Sequence, residues 1–191
     1  LSQIKMNTVE KIVESYYRLC RKCFTISDLK VLKGNNRQLD LLAISIKPKK
    51  CYHVEVSVTH RKNWCPTPEI LIENFEKKFF GVPPVRDGAK TDFSTGKNYK
   101  TSIDNTYSSV GINPDTIRRV WVCWIVNGAE RLQPILKDYC TKKGIRRSHL
   151  EVLSLRDEII PELLNTVSTT NYDDDILRTL SLLEQHRKQR E

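Results

Sequence analysis

The run RRVWVCWIV, residues 118–126, sets the tightest limit on the fold. It is dense in β-branched and aromatic residues and offers no polar alternation, so water has no face to wet. A strand of that kind is central and buried on both faces, which requires helices on both sides of its sheet. ERLQPILKDYCTKKG (130–144) reads as a helix and LEVLSL (150–155) as the next strand, and this strand–helix–strand order predicts a parallel pair.

Upstream, MNTVEKIVESYYRLCRK (6–22) spaces Val9, Ile12, Val13, Tyr16, Tyr17 and Leu19 on one side of a helix, behind an Asn7 or Thr8 cap. FTISDLKVLKG (24–34) and the two halves of QLDLLAISIKPKKCYHVEVSVTH (38–60) read as three strands of an antiparallel meander. EILIENFEKKFF (69–80) is a helix stopped by GVPP, and residues 85–97 read as an exposed loop. NYKTSIDNTYSSV (98–110) is helical, with Tyr99, Ile103 and Tyr107 on one face. RDEIIPELLNTV and DDDILRTLSLLEQHRKQR are C-terminal helices; in the second, Ile176, Leu177, Leu180 and Leu183 suit packing on the domain or a homodimer contact, and the pattern leaves both open. The expectation is one α/β domain over 1–191: a mixed sheet with helices on both sides, a core at 6–165, an insertion at 81–97 and a terminal helix at 173–189. Trp121 and Trp124 have opposite parity in their strand and read as packing residues.

The formal net charge is +9, and the last 26 residues are nearly neutral, so the excess lies in residues 1–165. Such a balance is expected of a protein that meets a polyanion. No apolar run approaches the roughly 20 residues of a membrane span, so a membrane partner is not expected. LSQIKMNTVEK has no apolar signal core, and the six cysteines are expected as reduced thiols in a cytoplasmic, reducing compartment. Cys20-x-x-Cys23 has no second half at zinc-finger spacing. STGKNYKT (94–101) lacks the glycine spacing of a phosphate-binding loop.

Two acids interrupt the apolar hairpin: Asp40 in its first strand and Glu55 in its second. A turn around Lys47–Lys49 gives pairing sums near 95, which sets Asp40 opposite Glu55; a slip of one residue would part them. Carboxylates that close repel unless a proton or a cation lies between them. Parity puts Asp40 with Leu42, Ile44 and Ile46, and Glu55 with Cys51, His53 and Ser57. The N-terminal helix is expected to cover that face, with Glu10 and Glu14 turned toward the pair. Oxygen donors around such a gap suit Mg²⁺ or Mn²⁺. The plainer alternative has Asp40 ending a turn and Glu55 solvated beside a lysine or arginine. His53, on the face of Glu55, reads as a satisfied, partly buried histidine, or else as a group supporting the acid or a general base.

Glu10 in TVEKIVESYY, Asp40 in QLDLLAI and Glu55 in YHVEVSV together resemble the PD-(D/E)XK nuclease superfamily, most of all its archaeal Holliday-junction resolvase and restriction-endonuclease branches. The resemblance covers residues 6–60. It implies a restriction-endonuclease-like α-β-β-β-α-β core and hydrolysis of phosphodiesters in nucleic acid, with DNA favoured. It also implies Mg²⁺ or Mn²⁺ held by Asp40 and Glu55 with Glu10 assisting. Two positions depart from the pattern: Leu39 stands where the motif has proline, and Ser57 where it has lysine. A hydroxyl cannot supply that positive charge. Lys62, Lys77 and Lys78 are the candidates for a displaced base, and Ser57 equally admits a member that binds nucleic acid or acts as a scaffold without cutting. His60, Arg61, Lys62, Lys97 and Lys100 are the candidate contacts to a nucleic-acid backbone. Outside the resemblance, the rival is a basic α/β protein-interaction subunit.

Overall fold

A computed structural model describes residues 7–59, 65–82, 85–87, 90–92, 98–167 and 171–190. Helix α1 (Thr8–Leu19) opens on a capping box: Asn7 Oδ1 accepts the Glu10 N–H, and Glu10 Oε2 accepts the Asn7 N–H, both at 3.0 Å. This satisfies two of the N–H groups that a helix start leaves open. Strands β1 (Cys23–Lys30), β2 (Gln38–Ile46) and β3 (Lys49–Ser57) form the antiparallel meander.

The chain then runs through α2 (Pro68–Phe79), the short strands β4 (Val85–Asp87) and β5 (Lys90–Asp92), and α3 (Lys100–Ser109) before entering β6 (Arg118–Cys123). β4 and β5 pair antiparallel, so the stretch expected as plain loop contains a small two-stranded ribbon. Helix α4 (Leu132–Lys143) leads to β7 (Leu150–Ser154). After a π-helical turn over Leu155–Ile159 come α5 (Ile160–Thr166) and α6 (Asp175–Lys188).

The main sheet has the order β1-β2-β3-β6-β7, with β6 parallel to both β3 and β7. Val120 to Cys123 are all buried, as the apolar run demands, and Trp121 lies in the core while Trp124, just past the strand, is 39% exposed. One face carries α1: Val13, Tyr16 and Tyr17 pack over Leu41, Ala43, Val54, Val120 and Val122. The other carries α2 and α4 over Trp121 and Leu150, and α3 over Leu39 and Leu42. Helix α6 lies outside this frame, with Leu177 and Leu180 packed near Leu163 of α5 and Ile12 of α1.

Gly81 fixes the join between α2 and α3. Its φ of +67° is left-handed, and a Cβ there would meet the Tyr99 backbone at 2.6 Å. Its carbonyl accepts the Tyr99 N–H at 2.9 Å, so only glycine fits this approach. Among the described residues no helix is long and apolar enough to cross a membrane, and the six cysteines are free thiols.

Candidate active site

The β2–β3 ladder pairs Leu41 with Val54 and Leu42 with His53. Carried one step further, that register sets Asp40 across from Glu55, at the sum of 95 expected from the turn. Both are buried, at 8% and 1% exposed. They lie on the face of α2 and α3, not on that of α1. Parity sorted the residues correctly into faces, but it carries no information on which helix covers which face. The crossover from β3 to the parallel strand β6 decides that, because it lays α2 and α3 over the acids.

Lys78, in the last turn of α2, reaches down between the two acids. Its Nζ lies 3.6 Å from Asp40 Oδ1 and in direct ion-pair contact with Glu55 Oε2. The roll of the helix is set by Phe75 and Phe79, whose rings pack on Trp121 at 5.9 and 6.1 Å. Of the two candidate bases among the described residues, Lys78 is thus the one brought to the acids. Lys77 is exposed, with its carbonyl accepting from Arg37 Nη1 at 2.8 Å. Lys62 lies outside the described residues, as do His60, Arg61 and Lys97. Lys100 pairs with Asp104 at 2.5 Å on the surface and borders a different cleft.

Behind the acids runs a buried hydrogen-bond chain. His53 is fully buried, with Nε2 2.8 Å from Glu55 Oε1 and Nδ1 2.7 Å from the Tyr107 hydroxyl. Burial drives the His53 pKa below its ordinary value, so the ring is neutral. The carboxylate can only accept, so Nε2 carries the proton and donates, and Nδ1 accepts from Tyr107. Asp40 Oδ2 accepts the Val56 N–H at 2.8 Å. His53 was legible as a support for Glu55; Tyr107 was not, because its helical spacing only marked it as a packing residue. Replacing Tyr107 with phenylalanine leaves Nδ1 without its donor. We expect a loss of about 1–2 kcal/mol of stability by urea denaturation; a change under about 0.3 kcal/mol would mean that the bond is not made.

The charges divide unevenly. Burial raises the Asp40 pKa, Glu55 adds repulsion, and Lys78 and the Val56 N–H only partly offset them, leaving the group at about 7. Burial also acts against Glu55, but the His53 hydrogen bond and the Lys78 ammonium outweigh it and hold that carboxyl below its usual range. Burial disfavours the Lys78 charge, and Glu55 and then Asp40 more than restore it, so the ammonium is retained above its ordinary pKa. The result is one firm carboxylate, one carboxyl poised near neutrality and one cation between them.

Glu10 and Glu14 each have hydrogen-bond partners of their own in this structure, while the Glu10 charge also reaches Asp40. The Glu10 carboxylate is engaged with Asn7 in the cap, although burial raises its pKa and the charges of Asp28, Lys78 and Glu55 reach it. Glu14 accepts from the Thr25 hydroxyl at 2.7 Å, on the α1 face. Among the described residues no group of three or more His, Cys, Asp or Glu side chains is placed to hold a metal ion. The sequence reading also missed Asp28. In β1 it falls between the Ser27–Leu41 and Leu29–Leu39 pairs, in line with Asp40. It adopts a left-handed φ of 54°, and its carboxylate accepts from Gln38 Nε2 at 3.1 Å.

Lys78 is the way in from solvent. Its side chain is 34% exposed and forms part of the wall of a cavity of 490 Å³ with Arg37, Gln38 and Tyr99. The Arg37 guanidinium lies over the Tyr99 ring at 4.6 Å.

No family model matches the chain, and no curated protein does. Among solved structures, a Moraxella osloensis Cap4 SAVED/CARF-domain containing receptor is similar at a TM-score of 0.33 and 14% identity. The match covers 99% of this chain and 43% of that one, so the chain spans less than half its length. A likeness of that degree assigns neither fold family nor activity.

Proposed function

We propose that this chain is a metal-dependent nuclease that hydrolyses phosphodiester bonds, with DNA the favoured substrate, built on a restriction-endonuclease-like core. The observation that carries the reading is the convergence of Asp40, Glu55 and Lys78 from three separate elements. On this reading the three side chains stand for the acids and the lysine of the motif, the lysine coming from the helix after the hairpin in place of Ser57. With the β4–β5 ribbon and α3 taken as insertions between α2 and β6, the remaining order α1-β1-β2-β3-α2-β6 is compatible with that core.

The donor set fits a hard cation. Asp40 Oδ1 and Glu55 Oε2 both face one point, which the Lys78 ammonium now approaches. Mg²⁺ or Mn²⁺ held there by Asp40 and Glu55 would supply an activated water and positive charge beside a phosphate. The protein's own part is positioning. His53 holds Glu55 ionised and oriented, the Val56 N–H orients Asp40, and Lys78 offers a second positive charge where negative charge builds on the phosphate.

A second reading, a nucleic-acid-binding or scaffold member that does not cut, has one observation in its favour. Lys78 already contacts both acids, and with Asp40 poised near neutrality its one charge balances the firm Glu55 carboxylate. Nicking of supercoiled, branched and single-stranded DNA with Mg²⁺ or Mn²⁺ separates the two readings. On the nuclease reading Asp40→Ala and Glu55→Ala each abolish cleavage and leave binding. Binding with no cleavage by the wild type, unchanged by either substitution, favours the second.

A further inference from the structure

A basic cleft of 960 Å³ lies at the other end of the sheet from the acids. It is formed where β3, β6 and β7 begin, and is walled by the 111–116 loop after α3 and the 144–149 turn after α4. Along β3, Lys50 is five residues from Glu55, which is about 16 Å at the usual strand rise. The lining includes Lys49, Lys50, Arg118, Arg119 and Arg146, against a single carboxylate, Asp115. Lys100 and Lys143, also in the wall, are paired with Asp104 and Glu76. Among the described residues, no acidic side chain pairs with the other five cations.

Arg119 makes this a built site rather than a patch of surface lysines. It is 4% exposed, its guanidinium sits 5.0 Å over the Phe80 ring, and its Nη atoms donate to the Ile117 and Pro114 carbonyls at 3.5 and 3.3 Å. Its Nε has no partner among the described residues. That atom is closed to solvent, so Arg119 enters the lining as a fixed, buried positive charge that an anion can offset. His149, in the same lining, is pushed below its ordinary pKa by burial and then by the charges of Arg146, Arg118 and Arg119.

We propose that this cleft binds a small ligand carrying two or more phosphates, of the inorganic or nucleoside polyphosphate kind. Five cations without an acidic partner match a ligand of several negative charges, and guanidinium forks bind phosphate oxygens bidentately. The volume is that of a small-molecule pocket. A polynucleotide needs a through-running groove, whereas these cations line one concavity. The inference is independent of the nuclease reading.

The test is calorimetric titration of the full chain with tripolyphosphate, ATP and a 12-nucleotide single strand, in EDTA at about 0.15 M salt. Tripolyphosphate is expected to bind at one site per chain, about tenfold more weakly to each of Arg118→Ala and Arg146→Ala. Arg146→Lys restores part of the loss, and Lys137→Ala, a charge control on the exposed side of α4, changes nothing. ATP binding tighter than tripolyphosphate assigns the ligand as a nucleotide; equal affinities assign the phosphate chain alone. Melting curves check that the variants fold. No saturable binding of tripolyphosphate or ATP, or binding that neither arginine substitution changes, overturns the proposal. So does an oligonucleotide that depends on these arginines when neither small probe binds.

Discussion

Lys78→Ala is expected to lower phosphodiester cleavage by about a hundred- to a thousandfold, while Lys77→Ala changes it less than twofold. The two lysines are neighbours in α2, but only Lys78 contacts Asp40 and Glu55. A fixed positive charge placed where negative charge develops is worth about that factor. A second readout separates this role from simple packing. With the ammonium gone, the two carboxylates lose their internal cation, so Mn²⁺ should bind the variant more tightly in a metal titration even as turnover collapses. A protein merely loosened by the change would lose both. Full activity in Lys78→Ala would remove the lysine from the chemistry and leave Ser57 unexplained.

Asp40→Asn is expected to make the metal-free protein more stable at pH 8 and to leave its stability nearly unchanged near pH 4. In the folded chain the Asp40 carboxyl holds its proton up to about pH 7, against an unfolded value near 3.8. Below the unfolded value both states are protonated, and the neutral acid resembles asparagine. Between the two values the unfolded chain releases a proton that the folded chain keeps, so wild-type stability falls as pH rises and levels off above about 7. The gap between the folded and unfolded values corresponds to about 4 kcal/mol, or roughly 10 °C in melting temperature for a chain of this size. Asparagine does not titrate and escapes the loss. On the nuclease reading Mg²⁺ favours the ionised acid, so it should raise the wild-type melting temperature at pH 8 and leave the variant alone. Melting temperatures that run parallel from pH 4 to 8 would show that Asp40 titrates normally. The expected cost is of the kind found where a residue is kept for function against stability.

A hydrogen-bonded histidine between Glu55 and Tyr107 limits what can replace either acid. Glu55 is the more constrained of the two, since its Oε1 is committed to His53 and its Oε2 to Lys78. Asp40 has one oxygen on the Val56 N–H and the other, Oδ1, turned toward Lys78.

What the sequence alone determined was everything that depends on periodicity and local chemistry. The apolar run at 120–126 required a strand covered on both faces, and β6 is that strand. The turn between the halves of the hairpin set the register that puts Asp40 beside Glu55. Parity is a property of the strand itself, so it survives folding unchanged. The tertiary structure decided what periodicity cannot encode. The assignment of α2 and α3 to the acid-bearing face followed from the β3–β6 crossover, and so did the approach of Lys78 to both acids, while Glu10 is held in its helix cap and Glu14 by Thr25. The selection of Lys78 over Lys77 followed from the roll of α2, which the packing of Phe75 and Phe79 on Trp121 imposes from another strand. Tyr107, 54 residues from His53, joined the site for the same reason: a contact between distant segments has no local signature.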